Sequence, residues 1–171
     1  MHITGTAGHG GNDPGAVADG YTERDLMTEL RDIVALKLRA AGHRVTTDGG
    51  AGLNLPLADA IRRIAGSDVA IELHTNAAVN PAARGVEVIS LPAQAPRARR
   101  VAAAIAGVME SPLRGDRGWI DQSMSARGRL GFVNAGGMVV EVFFLSNPEE
   151  LARYRARHWL IASAIAKAVT S

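Results

Sequence analysis

Strand-like and helix-like segments alternate along this chain, and that alternation constrains its fold more than any other feature. The runs Asp68–His74 (DVAIELH), Gly85–Leu91 (GVEVISL) and Met138–Leu145 (MVVEVFFL) are β-branched and apolar, and His2–Thr6 and His43–Thr47 read as shorter strands. Between them lie helical segments. The first runs from Thr22 to Ala41, with Thr22 as N-cap, Glu23 and Asp25 in the first turn, and Leu26, Leu30, Ile33, Val34 and Leu38 at helical spacing. Leu57–Ala65 and Pro96–Met109 follow, and a terminal helix opens at Ser146-Asn147-Pro148. Ser111–Gly131 has no clean period and reads as a long surface loop. The alternation predicts a single α/β domain over residues 1–171, with a mostly parallel twisted sheet of about 5–6 strands and helices on both faces. Sites in such folds gather at the carboxyl ends of strands, where His9 and His74 both fall.

Composition narrows the chemistry. The 171 residues include no cysteine, so disulfides are absent and any metal site must use His, Asp and Glu. A formal charge of +2 with 4% aromatic residues offers no stacking platform, which argues against nucleic acid as a partner. No apolar run approaches roughly 20 residues, so no stable membrane insertion is expected. The N-terminus lacks a basic segment followed by an apolar one, so no signal peptide is read there.

Four residues stand out. His9 sits among the glycines of HGGNDPGA, where no apolar packing explains it and the backbone can approach an ion closely. Glu23 opens the first helix, where favourable interaction with the helix dipole is a sufficient ordinary reason for it. His74 ends a strand. Together they have the composition of a His, Glu, His zinc site, in which three protein ligands leave a fourth position to water. Glu141 interrupts MVVEVFF with no basic residue nearby in sequence. A buried carboxylate is costly unless paired or metal-linked, so it reads as an outward strand position, as the partner of a distant arginine, or as a general base beside a metal-bound water.

GHGGNDPGA, the helix-opening glutamate, LHTNAA, GVEVISL and VVEVFFLSNPEE, in that order from Gly8 to about Leu151, resemble the zinc-dependent N-acetylmuramoyl-L-alanine amidases of the amidase-3 type. The resemblance implies one Zn²⁺ held by His9, Glu23 and His74, Glu141 as catalytic acid/base, and Asn76 shaping the pocket or touching substrate. Three positions depart from the family pattern. The aspartate common just before the first histidine is replaced here by Thr6 and Ala7, and the arginine usual after the second strand is missing around Thr47. Glu72 stands where a small or hydroxyl residue is common, and strand alternation puts it on the same side as His74. It reads as a contact behind His74, a substrate contact or an alternative ligand.

The activity so implied is hydrolysis of the amide between N-acetylmuramic acid and L-alanine in peptidoglycan. The other readings are a zinc amidohydrolase for a different N-acyl amino acid or peptide, and a wall-binding module that keeps the zinc but does no chemistry. With no wall-binding module or leader visible, the expectation is a monomeric phage or prophage lysis enzyme, made in a host cytoplasm and released to the periplasm.

Overall fold

The computed structural model describes residues 1–171. Its strands, in chain order, are β1 (His2–Ala7), β2 (Val17–Ala18), β3 (Tyr21–Thr22), β4 (Arg44–Thr47), β5 (Val69–Asn76), β6 (Glu87–Ser90), β7 (Trp119–Asp121) and β8 (Met138–Phe144). The helices are α1 (Glu23–Ala40), α2 (Leu57–Arg63), α3 (Ala95–Met109), α4 (Gly131–Asn134) and α5 (Pro148–Thr170).

Six strands form one sheet in the order β4–β1–β5–β8–β6–β7. Every neighbouring pair is parallel except β8 and β6. The single α/β domain with a mostly parallel sheet is therefore as the alternation predicts. No helix is long and apolar enough to cross a membrane.

Helices cover both faces, but unequally. The long helices α1, α3 and α5 pack on one face over a cluster of 32 buried residues, while the short α2 and α4 cover a cluster of six on the other. Period-two alternation decides which side chains go where. Along β8, Met138, Val140 and Val142 enter the large cluster and Val139 the small one, so Glu141 points with Val139 to the thinly covered face. The same parity places Glu72 and His74 of β5 with Ala70, and Glu87 of β6 with Ile89. Beyond α2 and α4 this face lies open and forms a cleft.

The sequence reading needs two corrections of detail. Ser111–Gly131 is not one irregular loop, because it contains the edge strand β7, whose three residues are too few to show a period. His74 does not end its strand, since β5 continues to Asn76 with a bulge between the two residues. Bulges re-aim side chains and are common beside sites.

Candidate active site

The turn after β1 carries His9 in a left-handed conformation, φ 59°, which non-glycine residues adopt only under constraint. Asn54 supplies that constraint. Its Nδ2 donates to the carbonyls of Ala7, at 2.8 Å, and His9. Its Oδ1 in turn accepts from Arg31 at 3.2 Å. Arg31 is fully buried and spends its remaining donors on Asp48, Asp32 and the carbonyls of Gly50 and Leu53. Loop 48–54 is thereby locked against the histidine-bearing turn.

Glu23 reaches the same point by a tight hairpin. β2 and β3 pair antiparallel, and Asp19 and Gly20 between them both have positive φ, as a two-residue hairpin turn requires. Thr22 then caps α1 by accepting from the backbone of Asp25 at 3.1 Å. The Glu23 carboxylate accepts from the backbone N–H groups of Ala16 (3.0 Å) and Thr75 (2.9 Å). It also meets Nε2 of His9 at 3.2 Å and Nδ1 of His74 at 3.0 Å.

One ligand atom from each of His9, Glu23 and His74 lies within 4.8 Å of the others, a group able to hold a metal ion. Each imidazole is gripped on its far nitrogen by a second carboxylate. Asp13 meets Nδ1 of His9 at 2.8 Å, and Glu72 meets Nε2 of His74 at 3.0 Å. Such outer carboxylates fix the tautomer and ring orientation of a metal-ligating histidine. The surrounding backbone is shaped to the cluster. A Cβ on Gly15 would fall 2.6 Å from the His9 ring and 2.7 Å from Glu23, and one on Gly8 would fall 2.1 Å from the His74 ring. The donor set, its spacing and this cradle fit zinc, which takes imidazole and carboxylate ligands.

The protonation states follow from the contacts. Burial pushes Glu23 up, but hydrogen bonds from His74 and His9 outweigh it and hold the carboxyl well below its usual range. Burial pulls His74 down, yet Glu23 and Glu72 raise it well above the ordinary imidazole value. Hydrogen bonding to Glu23 likewise raises His9.

Register places the remaining groups. His74, Glu141 and Glu87 are paired across β5, β8 and β6, so the three side chains form a row on the open face. Glu141 is half-buried, and its Oε2 is shut off from solvent without a hydrogen-bond partner. Burial pushes it up to about 7, against the pull of His74, and the nearby Glu23 and Glu87 carboxylates add to the push. Glu87 is buried and accepts from Asn76 at 3.1 Å and from Nε of Arg114 at 2.6 Å. The cleft over this row has a volume of about 930 Å³, with Ile89, Phe132 and Val139 on its apolar side.

The structure thus brings His9, Glu23 and His74 together with Glu141 beside them. It places Glu72 behind His74, on the nitrogen opposite Glu23, and Asn76 on the cleft wall. Sequence reasoning missed Asp13, Asn54 and Arg114. Asp13 had a signal, a carboxylate four residues after a histidine in a glycine-rich turn, whereas the other two are joined to the site only by tertiary folding.

The family model for N-acetylmuramoyl-L-alanine amidase, Amidase_3, matches residues 4–171. The chain belongs to this family. A crystal structure of a Neisseria meningitidis protein assigned as an N-acetylmuramoyl-L-alanine amidase is 42% identical, with a TM-score of 0.91 over 99% of this chain and 93% of that one. The catalytic domain of the CD27L endolysin targeting Clostridia difficile shares the fold, with a TM-score of 0.79 at 24% identity over 99% of this chain and 97% of that one. The Staphylococcus aureus (strain NCTC 8325 / PS 47) protein named "Probable autolysin PH" is 35% identical over an alignment of 101 positions that covers 49% of this chain and 21% of that protein. The chain thus matches about a fifth of the length of that autolysin. Family membership agrees with the resemblance read from GHGGNDPGA, LHTNAA and VVEVFFLSNPEE.

Proposed function

We propose that this protein hydrolyses the amide joining N-acetylmuramic acid to L-alanine in peptidoglycan. In this reading His9, Glu23 and His74 hold one zinc ion and Glu141 handles the proton. The observation that carries it is the Glu141 carboxyl, with an unpartnered Oε2, set one strand from the His–Glu–His cluster in a family of amidases.

When bound, zinc lowers the pKa of a coordinated water toward about 7 and polarises the scissile carbonyl. The protein supplies the rest. Glu23, His9 and His74 present their facing oxygens and nitrogens, with both imidazoles held in a single tautomer by Asp13 and Glu72. In the metal-free protein burial pushes Glu141 up to about 7, so this carboxyl is poised to exchange a proton near neutral pH. Its carboxylate accepts the proton of the attacking water and returns it to the departing alanine nitrogen, the work of one group acting first as base and then as acid. Asn76, braced by Glu87, presents its amide to the substrate at the cleft wall. A cleft of about 930 Å³ is near the upper end for small-molecule pockets, which favours a muramyl peptide over a single N-acyl amino acid.

The test is Glu141→Ala on purified sacculi. Release of free N-terminal L-alanine, with no new reducing sugar ends, should be seen with the unaltered protein and lost in the variant, while zinc content and wall binding persist. Release that survives the substitution sinks the assignment of Glu141.

A further inference from the structure

The cleft holds an arginine that no step above uses. Arg114 follows α3 in sequence and lies beside the Glu87 end of the His74–Glu141–Glu87 row. Its backbone N–H donates to the carbonyl of Val86 at 3.0 Å. Its Nε donates to Glu87, and its guanidinium stacks 4.9 Å above the ring of Phe144. Its stem lies against Gly85, where a Cβ would fall 2.8 Å from Cγ. A side chain that ordinarily samples many rotamers is thus held in one orientation by the last three of these contacts. Yet it is 42% exposed, and Nη2 has no protein partner.

The surroundings sharpen the point. Glu72, Glu87 and Glu141 line the floor of this cleft, and of the two arginines at its edge, Arg114 and Arg127, it is Arg114 that is paired to that carboxylate row. Glu87 neutralises part of the Arg114 charge but leaves the outer edge of the guanidinium free. That planar edge is suited to a carboxylate.

We infer that Arg114 binds a carboxylate on the peptide part of the substrate, so that the enzyme prefers stems whose residue after the alanine carries a free acid. The inference rests on the amidase reading. Glu87 sits opposite Glu141 on the neighbouring strand, about 5 Å away, and Arg114 lies one ion pair beyond it. The span matches an extended peptide reaching from the scissile amide to the next residue or two. Glu87 then serves as a positioning residue for both Arg114 and Asn76.

The experiment compares two muramyl peptides that differ only at the residue after the alanine, one bearing a carboxylate there and the other the carboxamide. The unaltered protein should cleave the acid with kcat/KM about tenfold higher, mostly through KM, the size expected for one charge-assisted hydrogen bond. Arg114→Met should lose about tenfold more on the acid than on the amide, and Arg114→Lys should retain part of the preference. Matching melting temperatures and zinc contents establish that both variants fold. Equal cleavage of the two substrates by the unaltered protein, or equal losses on both in Arg114→Met, overturns the inference. If neither substrate is cleaved, the amidase reading itself falls. The inference is then decided by calorimetric binding of the acid dipeptide, where equal affinity for the unaltered protein and Arg114→Met overturns it.

Discussion

Glu72 and Asp13 do the same job for the two histidines from very different surroundings. The Glu72 carboxylate is buried beside His74, whereas the Asp13 side chain is 63% exposed. Water can replace an exposed partner but not a buried one, so Glu72→Ala should weaken zinc binding by about 10–100-fold and Asp13→Ala by less. Competition with a chromogenic chelator measures both. A second expectation concerns protons. In the metal-free protein His9 and His74 are raised and Glu23 is lowered. The histidines contribute stability that is complete below the ordinary imidazole value and lost as pH rises through their raised values. Glu23 contributes stability that is complete above the ordinary carboxylate value and lost as pH falls through its depressed one. Metal-free protein should therefore be most stable in mildly acidic solution, as thermal melts across pH will register. Zinc must displace the imidazole protons, so its affinity should fall as pH drops, with proton release visible by calorimetry in buffers of different ionisation enthalpy.

At the scale of elements, the site is assembled by turns rather than by strands alone. Asn54 ties loop 48–54 to the His9 turn and is itself held by the buried Arg31. Asn54→Ala would leave Arg31 short of an acceptor and the Ala7 and His9 carbonyls without their donor. It should cost about 1–3 kcal/mol by denaturant titration and weaken zinc binding as the strained His9 backbone relaxes. Much of this level was legible in the sequence. Thr22 and Asn147 cap their helices as read, because capping is local chemistry. The proximity of His9 and His74 followed from strand ends lying along one edge of a parallel sheet. The locking of loop 48–54 was not legible, since Arg31 looks like an ordinary polar position on α1 until its partners arrive 17 to 23 residues later. The hairpin that swings Glu23 into place was also missed, because two-residue strands carry no periodic signal.

Across the whole molecule, stability and function are divided between the two faces of the sheet. The face under α1, α3 and α5 holds most of the core, and the thinner face holds the cleft. Ile105→Ala, on the fully buried face of α3, should cost about 2–5 kcal/mol while leaving zinc affinity unchanged. Phe132→Ala removes a buried ring from the apolar wall of the cleft, and should lower both stability and turnover. Denaturant titration paired with sacculus digestion separates the two outcomes. The alternation of segments revealed the layers but not their inequality, which depends on α4 being only four residues long, too short to show a helical period.

The strand order also bears on when the molecule becomes active. All three residues of the cluster able to hold a metal lie in the first 74 positions, but β8 is the last strand made and the one inserted between β5 and β6. His9, Glu23 and His74 therefore emerge from the ribosome well before Glu141. Until then β5 and β6 each lack the neighbour that carries Glu141. On the proposed mechanism, a product ended before β8 would lack Glu141 and should not cut, so the activity depends on completion of the sheet.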